Sequence, residues 1–285
     1  MINDDIIYEY PHADRVVIIG DIHGDVKRFK NILIDAKVIN NNIEWIAEPQ
    51  NTIVIQLGDQ VDSANRDPSI QDWEVLCDTE MLHFTNFLNN IAKTRGGLLI
   101  SLIGNHELMN VIGNFSYVSQ KSIQNINTRQ ELFKPTGSLS HILSHRPIVV
   151  KIGELLFCHA GLRKDHLEIL RKYNKDLSYL NVIWKNFMQS QKVLIEDKEI
   201  FDKIILGFEG ILWNRDLDSV EETKAMLQSV GCVYMFIGHT TVESVRILHN
   251  VVWYVDTGIS RAFGTTAYQY VDIGNYEITV KTIKD

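Results

Sequence analysis

A carboxylate and an imidazole stand two positions apart where an apolar run breaks off, in Val16-Val17-Ile18-Ile19-Gly20-Asp21-Ile22-His23-Gly24-Asp25. In extended chain, side chains alternate with a period of two, so Asp21 and His23 point the same way from a strand end. Glycines on either side let the backbone turn tightly there. The same device recurs along the chain. Ile53-Val54-Ile55-Gln56-Leu57 leads into Gly58-Asp59-Gln60-Val61-Asp62, and Leu98-Leu99-Ile100-Ser101-Leu102-Ile103 into Gly104-Asn105-His106-Glu107. Leu155-Leu156-Phe157-Cys158 runs into His159-Ala160-Gly161, and Tyr234-Met235-Phe236-Ile237 into Gly238-His239-Thr240. A single histidine of this kind is more often a satisfied core or surface residue than a ligand. Five correlated strand ends are a different matter, since sites in layered α/β proteins gather outside the carboxyl ends of strands.

These residue types fit a pair of divalent cations. Hydrolysing a phosphate ester near neutral pH requires an activated water, neutralised phosphoryl oxygens and a protonated leaving alkoxide. Two ions held about 3.5–4 Å apart serve the first two needs, and a shared carboxylate is the simplest way to hold them. Asp59 is the candidate bridge, with Asp21 and His23 completing one ion and Asn105, His159 and His239 the other. Mixed imidazole and carboxylate ligation suits Mn, Fe or Zn better than Ca, with manganese the natural ion to supply in vitro. On a tight turn adjacent side chains diverge, so His106 is free to face substrate as general acid. Asp62 is its natural orienting carboxylate and Glu107 the second choice. The remaining histidines, His12, His83, His141, His145, His166 and His249, sit in polar or helical contexts and receive no role.

The elements that must hold these residues can be read in outline. Val26, Phe29, Leu33 and Ala36 recur at helical spacing behind Asp25, a good N-cap, which makes a βα unit of the first motif. Trp73, Leu76, Cys77, Met81, Phe84, Leu88 and Ile91 form a long amphipathic stripe that ends at Arg95-Gly96-Gly97, as a helix covering a sheet would. Periodicity weakens from about 111 to 145, where Phe115, Tyr117, Ile123, Leu132 and Phe133 are scattered, and a partly helical insert over the site is expected. Residues 148–157 read as a hairpin turning at Gly153-Glu154. The charged stretch 163–205 reads as a helical cap or flank, with Leu167, Leu170, Leu177, Leu180, Ile183 and Trp184 as its buried positions. A short helix over 220–230 precedes the fifth strand, and the alternating tail from Val242 predicts antiparallel strands. A βαβα beginning followed by strands fits two packed, mixed sheets flanked by helices, an αββα sandwich within one domain spanning 1–285.

Composition narrows the function classes. At 285 residues with 45% hydrophobic content the chain is long enough for a sizeable core. A formal net charge of −8 disfavours binding to a nucleic-acid backbone, which relies on a basic surface. No run approaches the roughly 20 apolar residues of a membrane span, and no secretory segment opens the sequence, so a cytoplasmic protein with neither nucleic-acid nor membrane partners is expected. Cys77, Cys158 and Cys232 form no CxxC and read as reduced thiols.

In order and type, Gly20-Asp21-Ile22-His23-Gly24, Gly58-Asp59-Gln60-Val61-Asp62, Gly104-Asn105-His106-Glu107, His159-Ala160-Gly161 and Gly238-His239 resemble the motifs of the PPP-type calcineurin-like metallophosphoesterases. Leu212-Trp213-Asn214-Arg215-Asp216 and Asp256-Thr257-Gly258-Ile259-Ser260-Arg261-Ala262 look most like the Shewanella-like phosphatase branch. The resemblance implies an αββα sandwich, a dinuclear centre, and direct attack by a metal-bridging hydroxide with no phosphoenzyme. It carries the ligand roles to Asp21, His23, Asp59, Asn105, His159 and His239, and the acid dyad to His106 with Asp62. One departure stands out. Where that family usually has arginine after the second motif's last aspartate, this chain has Ser63, and a hydroxyl does not replace a guanidinium fork. Arg66 and Arg215 are the candidate phosphate-binding residues, with Arg163 and Arg261 behind them. The expected function is a metal-dependent phosphomonoesterase acting on a phosphoprotein, at Ser/Thr or Tyr, or on a small phosphomonoester. The rivals are a nucleotide-directed phosphoesterase, such as a diadenosine polyphosphate hydrolase, and a catalytically silent scaffold.

Overall fold

The computed structural model describes residues 6–64, 78–123, 125–190, 195–275 and 277–285. Its strands are β1 (Glu9–Tyr10), β2 (Arg15–Ile19), β3 (Ile53–Gln56), β4 (Leu98–Ser101), β5 (Val149–Ile152), β6 (Leu155–Cys158), β7 (Tyr234–Ile237), β8 (Arg246–Leu248), β9 (Val252–Tyr254), β10 (Ala267–Gly274) and β11 (Glu277–Lys284). The α-helices are α1 (Val26–Asp35), α2 (Thr79–Thr94), α3 (Asn105–Val111), α4 (Gln120–Ile123), α5 (Ile126–Phe133), α6 (Ser140–Ser144), α7 (Lys164–Lys172), α8 (Ser178–Met188), α9 (Ile195–Ile200) and α10 (Val220–Ser229).

Two mixed sheets form the centre, ordered β11-β10-β2-β3-β4 and β1-β5-β6-β7-β9-β8. Alternation within β2 sorts its side chains between two layers. Val16 and Ile18 join Ile55, Phe157 and Phe236 between the sheets, whereas Val17 and Ile19 join Phe29, Ile32, Leu33 and Leu88 beneath α1 and α2. On the outer side of the second sheet, Leu156, Cys158, Met235 and Ile237 pack under Leu167, Leu180, Ile183 and Trp184. The result is the expected αββα sandwich. Burying each such aliphatic or aromatic side chain stabilises the layers by about 1.5–3 kcal/mol. Phe157 and Phe236 stack at 5.4 Å at the centre of the inter-sheet core, with Trp253 continuing the stack at 5.9 Å from Phe236.

Register explains the convergence of the motifs. β2, β3 and β4 are parallel, with Ile19 opposite Gln56 and Gln56 opposite Ser101, so Asp21, Asp59 and Asn105 emerge side by side from one sheet. In the other sheet β6 and β7 are parallel with Phe157 opposite Phe236, which brings His159 and His239 out together.

The sequence expectations hold for Asp25, whose carboxylate caps α1 by accepting from Arg28 N at 3.2 Å, and for the hairpin, where β5 and β6 are antiparallel. All six apolar positions expected in 163–205 are buried. The tail departs from the expected run of antiparallel strands. β9 is parallel to β7 and antiparallel only to β8, and the tail divides, with β10 and β11 returning to the first sheet beside β2. Alternation sees which face is buried but not which neighbour supplies the hydrogen bonds. Trp73, Leu76, Cys77 and Arg66 lie outside the described residues. Among those residues no helix is long and apolar enough to cross a membrane, and Cys158 and Cys232 are buried free thiols.

Candidate metal centre

All seven residues singled out at the strand ends, Asp21, His23, Asp59, Asn105, His106, His159 and His239, are buried and gather at the junction of the two sheets. Asp59 is central. Its Oδ2 lies 3.3 Å from His159 Nε2, 3.8 Å from His106 Nε2 and 4.0 Å from His23 Nε2. Asp21 Oδ2 also stands 4.0 Å from His23 Nε2, and Asn105 Oδ1 is 2.9 Å from both His159 Nε2 and His239 Nδ1. Two three-residue groupings have the compactness of a metal site, His23-Asp59-His106 and Asp59-His159-His239, and Asp59 is common to both.

Ring hydrogen bonds show that the donor set fits cations. A carbonyl oxygen can only accept, so His159 donates Nδ1–H to Leu57 O at 2.8 Å, His23 donates Nδ1–H to Val61 O at 3.0 Å, and His239 donates Nε2–H to Trp213 O at 3.0 Å. The other nitrogen of each ring therefore faces the oxygens of Asp59, Asp21 or Asn105, offering a lone pair whenever the ring is neutral. Lone pairs facing lone pairs in a buried site repel, and a divalent cation at each focus turns that repulsion into coordination. Backbone anchoring of this kind is how metal-binding imidazoles are normally oriented. Burial would lower His159, but the Asp59 charge and hydrogen bond raise it above the ordinary imidazole value, so this ring would give up its Nε2 proton on binding a cation. Burial would raise the Asp59 carboxyl, but His159, His106 and His23 hold it well below the usual carboxylate range. Burial and then the His159 charge push His239 down to about 3, which leaves its ring neutral.

The loops pay for this geometry with strained backbone. His23, Asp59, Asp62 and His239 all have positive φ, at 44°, 51°, 67° and 60°, a region that non-glycine residues rarely occupy and that clusters at functional sites. Glycine is required before two of the motifs because a Cβ on Gly104 would collide with Asp59 Oδ1 and one on Gly238 with Asp21 Oδ1.

Around His106 the structure builds a second layer. His106 Nδ1 donates to Asp62 Oδ2 at 2.8 Å, the partner expected from the sequence. Glu107, the second choice, does something else. Its carboxylate accepts from Asp59 N at 2.9 Å, Gln60 N at 2.7 Å and Gly104 N at 2.8 Å, tying the second motif loop to the third. Burial and the nearby Asp59 charge push its carboxyl upward, opposed by Arg146 and these N–H donors. Sequence reasoning missed Arg129 and Asp78. Arg129 forks onto Asp78 at 2.8 and 2.9 Å and reaches Asp62 Oδ1 at 3.2 Å, while Asn110 Nδ2 holds the same oxygen at 2.8 Å. Its signal in the sequence was slight, an arginine four residues ahead of Phe133 on one helical face. Tyr117, also from the weakly periodic insert, meets the His106 ring edge-on at 5.1 Å.

The arginines divide. Arg215 is exposed and rests on the centre's rim, donating to His239 O at 3.1 Å and Thr240 Oγ1 at 3.3 Å, with no ion pair among the described residues. Arg261 is engaged with Asp25 at 2.8 Å, and Arg163 lies 3.3 Å from Asp165 and 3.7 Å from Asp218. Ser63 is buried, its hydroxyl without a hydrogen-bond partner among the described residues.

A sandwich of two mixed sheets whose strand ends assemble paired His/Asp clusters defines the metallophosphoesterase class. The model of the calcineurin-like phosphoesterase family matches residues 14–243, and the chain belongs to that family. It is 28% identical to the Shewanella-like protein phosphatase 1 of Plasmodium berghei (strain Anka), over 93% of this chain and 73% of that protein. With the Shewanella-like protein phosphatase 2 of Arabidopsis thaliana it shares 23% identity over 61% of this chain and 54% of that one. The fold is that of a cold-active protein-tyrosine phosphatase of a psychrophilic Shewanella species, with a TM-score of 0.79 at 22% identity, covering 99% of this chain and 84% of that chain.

Proposed function

We propose that this protein is a metal-dependent phosphomonoesterase of the Shewanella-like branch, acting on phosphorylated protein. The observation that carries the hydrolytic reading is the set of three imidazoles anchored to backbone carbonyls, with their other ring nitrogens turned on Asp59, Asp21 and Asn105. In this reading Asp21, His23 and Asp59 hold one divalent ion and Asp59, Asn105, His159 and His239 the other. Bound there, the two ions would activate water and neutralise the phosphoryl oxygens.

The chain's own residues do the rest. His106, oriented by Asp62, stands beside the centre as proton donor to the leaving oxygen. Arg215 has its outer guanidinium edge available for a phosphoryl oxygen, since only one terminal nitrogen is used on His239 and Thr240. The whole domain, 1–285, serves one site, and the 111–145 segment reaches its His106 side through Tyr117 against the His106 ring and Arg129 of α5 against Asp62. The likeness to two named protein phosphatases supports a phosphoprotein substrate over a dinucleoside polyphosphate.

Turnover of p-nitrophenyl phosphate, of Ser/Thr- and Tyr-phosphorylated peptides and of diadenosine polyphosphate, with manganese supplied, tests the reading. Phosphopeptide hydrolysis that His106→Asn abolishes supports it. Faster turnover of the dinucleotide would move the assignment to the nucleotide-directed class, and an inert wild type would leave a scaffold.

A further inference from the structure

Away from the metal centre, a cavity of about 340 Å³ opens beside β4 between α2 and α6. β4 is the edge strand of its sheet. Leu98 and Leu102 donate to β3 and its flank, so the backbone groups of Leu99 and Ser101 turn outward toward this side. Leu99 N is taken by Asn89 Oδ1 at 3.2 Å, and Ser101, a lining residue only 7% exposed, keeps its hydroxyl buried without a hydrogen-bond partner among the described residues.

The lining has a consistent charge. Lys93, Arg146 and His145 line it together with the amides of Asn86 and Asn89, and among the described residues no aspartate or glutamate does, in a chain whose net charge is −8. Lys93 is exposed and has no ion pair among the described residues. Leu98, Ile100 and Pro147 supply an apolar wall. Such a cavity suits an oxyanion on a small apolar body, with donors for the head and hydrocarbon contact for the rest.

The inner wall leads to the metal loop. Arg146 donates to the Gln60 side chain, to Thr85 Oγ1 at 2.9 Å and to Leu82 O at 3.1 Å, and Thr85 Oγ1 in turn donates to Gln60 Oε1 at 3.2 Å. Gln60 directly follows Asp59. An anion in the cavity would compete with Gln60 for the Arg146 guanidinium.

We propose that this cavity is a regulatory site for a small organic oxyanion, separate from the metal centre, which restrains turnover by drawing Arg146 away from Gln60. Binding stands on the cavity alone, whereas the effect on turnover rests on the function proposed above. Naphthalene-1-sulfonate, which has no phosphoester bond to hydrolyse, is a suitable probe, titrated calorimetrically into the full metal-loaded chain. Wild type should bind it, and Lys93→Glu should weaken binding by about tenfold or more. Asn86→Asp, which adds a carboxylate at an exposed position with little change of shape, should do the same. At a concentration just sufficient to saturate the wild type, the probe should lower kcat of the wild type with KM unchanged and lower kcat of Lys93→Glu by clearly less. No binding, or binding that neither substitution weakens, overturns the site. A rise in KM at constant kcat places the probe in the metal centre and also overturns it. Binding that responds to Lys93→Glu while kcat stays constant overturns the link to Gln60. An inactive wild type that still binds the probe would count against the proposed function and not against the cavity.

Discussion

Asp62 and His106, 44 residues apart in sequence, meet at 2.8 Å, and the carboxylate oxygen not facing the ring is held by Asn110 and Arg129. The ring therefore has its Nδ1–H committed and its Nε2 directed at the centre, 3.8 Å from Asp59 Oδ2. A group placed this way contributes according to how badly the leaving oxygen needs a proton. Asp62→Asn should lower kcat for an alkyl phosphate by about 10²–10⁴ and for p-nitrophenyl phosphate far less. Rates across leaving groups of graded acidity check this, and an equal loss for all of them would remove His106 from the proton-donor role.

Arg129 is fully enclosed, between the carboxylates of Asp62 and Asp78 and stacked 4.7 Å over Phe133. Removing the cation leaves two buried carboxylates facing each other. Arg129→Met should destabilise the fold by about 3–5 kcal/mol. Adding Asp78→Asn, which removes one of the stranded charges, should recover part of that loss, because contacting residues do not act additively. Denaturant unfolding of both variants provides the measurement.

These two residues also mark the limit of what the sequence could reveal. Asp21, Asp59, Asn105, His159 and His239 were legible because each follows an apolar run and a buried strand fixes where its end lies. His106 and Asp62 were legible by adjacency to that set. Arg129 reaches the site from α5, a short helix in a stretch with little periodicity, so nothing local distinguishes it from a surface arginine. Glu107 was visible but misread. Its residue type allows it to orient a histidine, and only the folded loops show that three backbone N–H groups claim it first. The order of the tail strands was equally hidden, since a half-buried strand reads the same whichever neighbour it joins.

Gly104 tests the close approach of the third motif to the second. Its Cβ would occupy the place of Asp59 Oδ1, which also accepts from His106 N at 2.9 Å. Gly104→Ala should displace the shared carboxylate and so weaken both ions together. Elemental analysis after dialysis should show loss of metal from this variant, and added manganese should restore activity only at concentrations well above those sufficient for the wild type.

Arg215 sits on the rim with its charge unmatched among the described residues. A charge-assisted hydrogen bond to a phosphoryl oxygen is worth about 1.5–3 kcal/mol, so Arg215→Ala should reduce kcat/KM for a phosphomonoester by roughly ten- to a hundredfold. Arg215→Lys should recover only part of it, because an ammonium lacks the fork. Unchanged kinetics in the alanine variant would leave Arg215 as a structural support for the His239 loop.

His166, outside the centre, gives the fold a pH dependence of definite sign. The ring is 2% exposed and neutral by geometry, donating Nε2–H to Glu209 O at 2.8 Å and accepting at Nδ1 from Arg163 N at 3.3 Å. Burial lowers its pKa below the ordinary 6.5, outweighing the pull of Glu209 O and Asp165. The unfolded chain thus takes up a proton at higher pH than the folded one. By linkage, the contribution is complete above the unfolded value near 6.5 and is lost as pH falls below it toward the folded value. Protonation at Nδ1 also sets two donors against each other at Arg163 N. His166→Gln, which can keep both hydrogen bonds but does not titrate, should lose less stability than the wild type as pH is lowered below about 6.5. Paired thermal melts across that range decide the matter, and parallel curves would show that His166 does not carry the acid sensitivity.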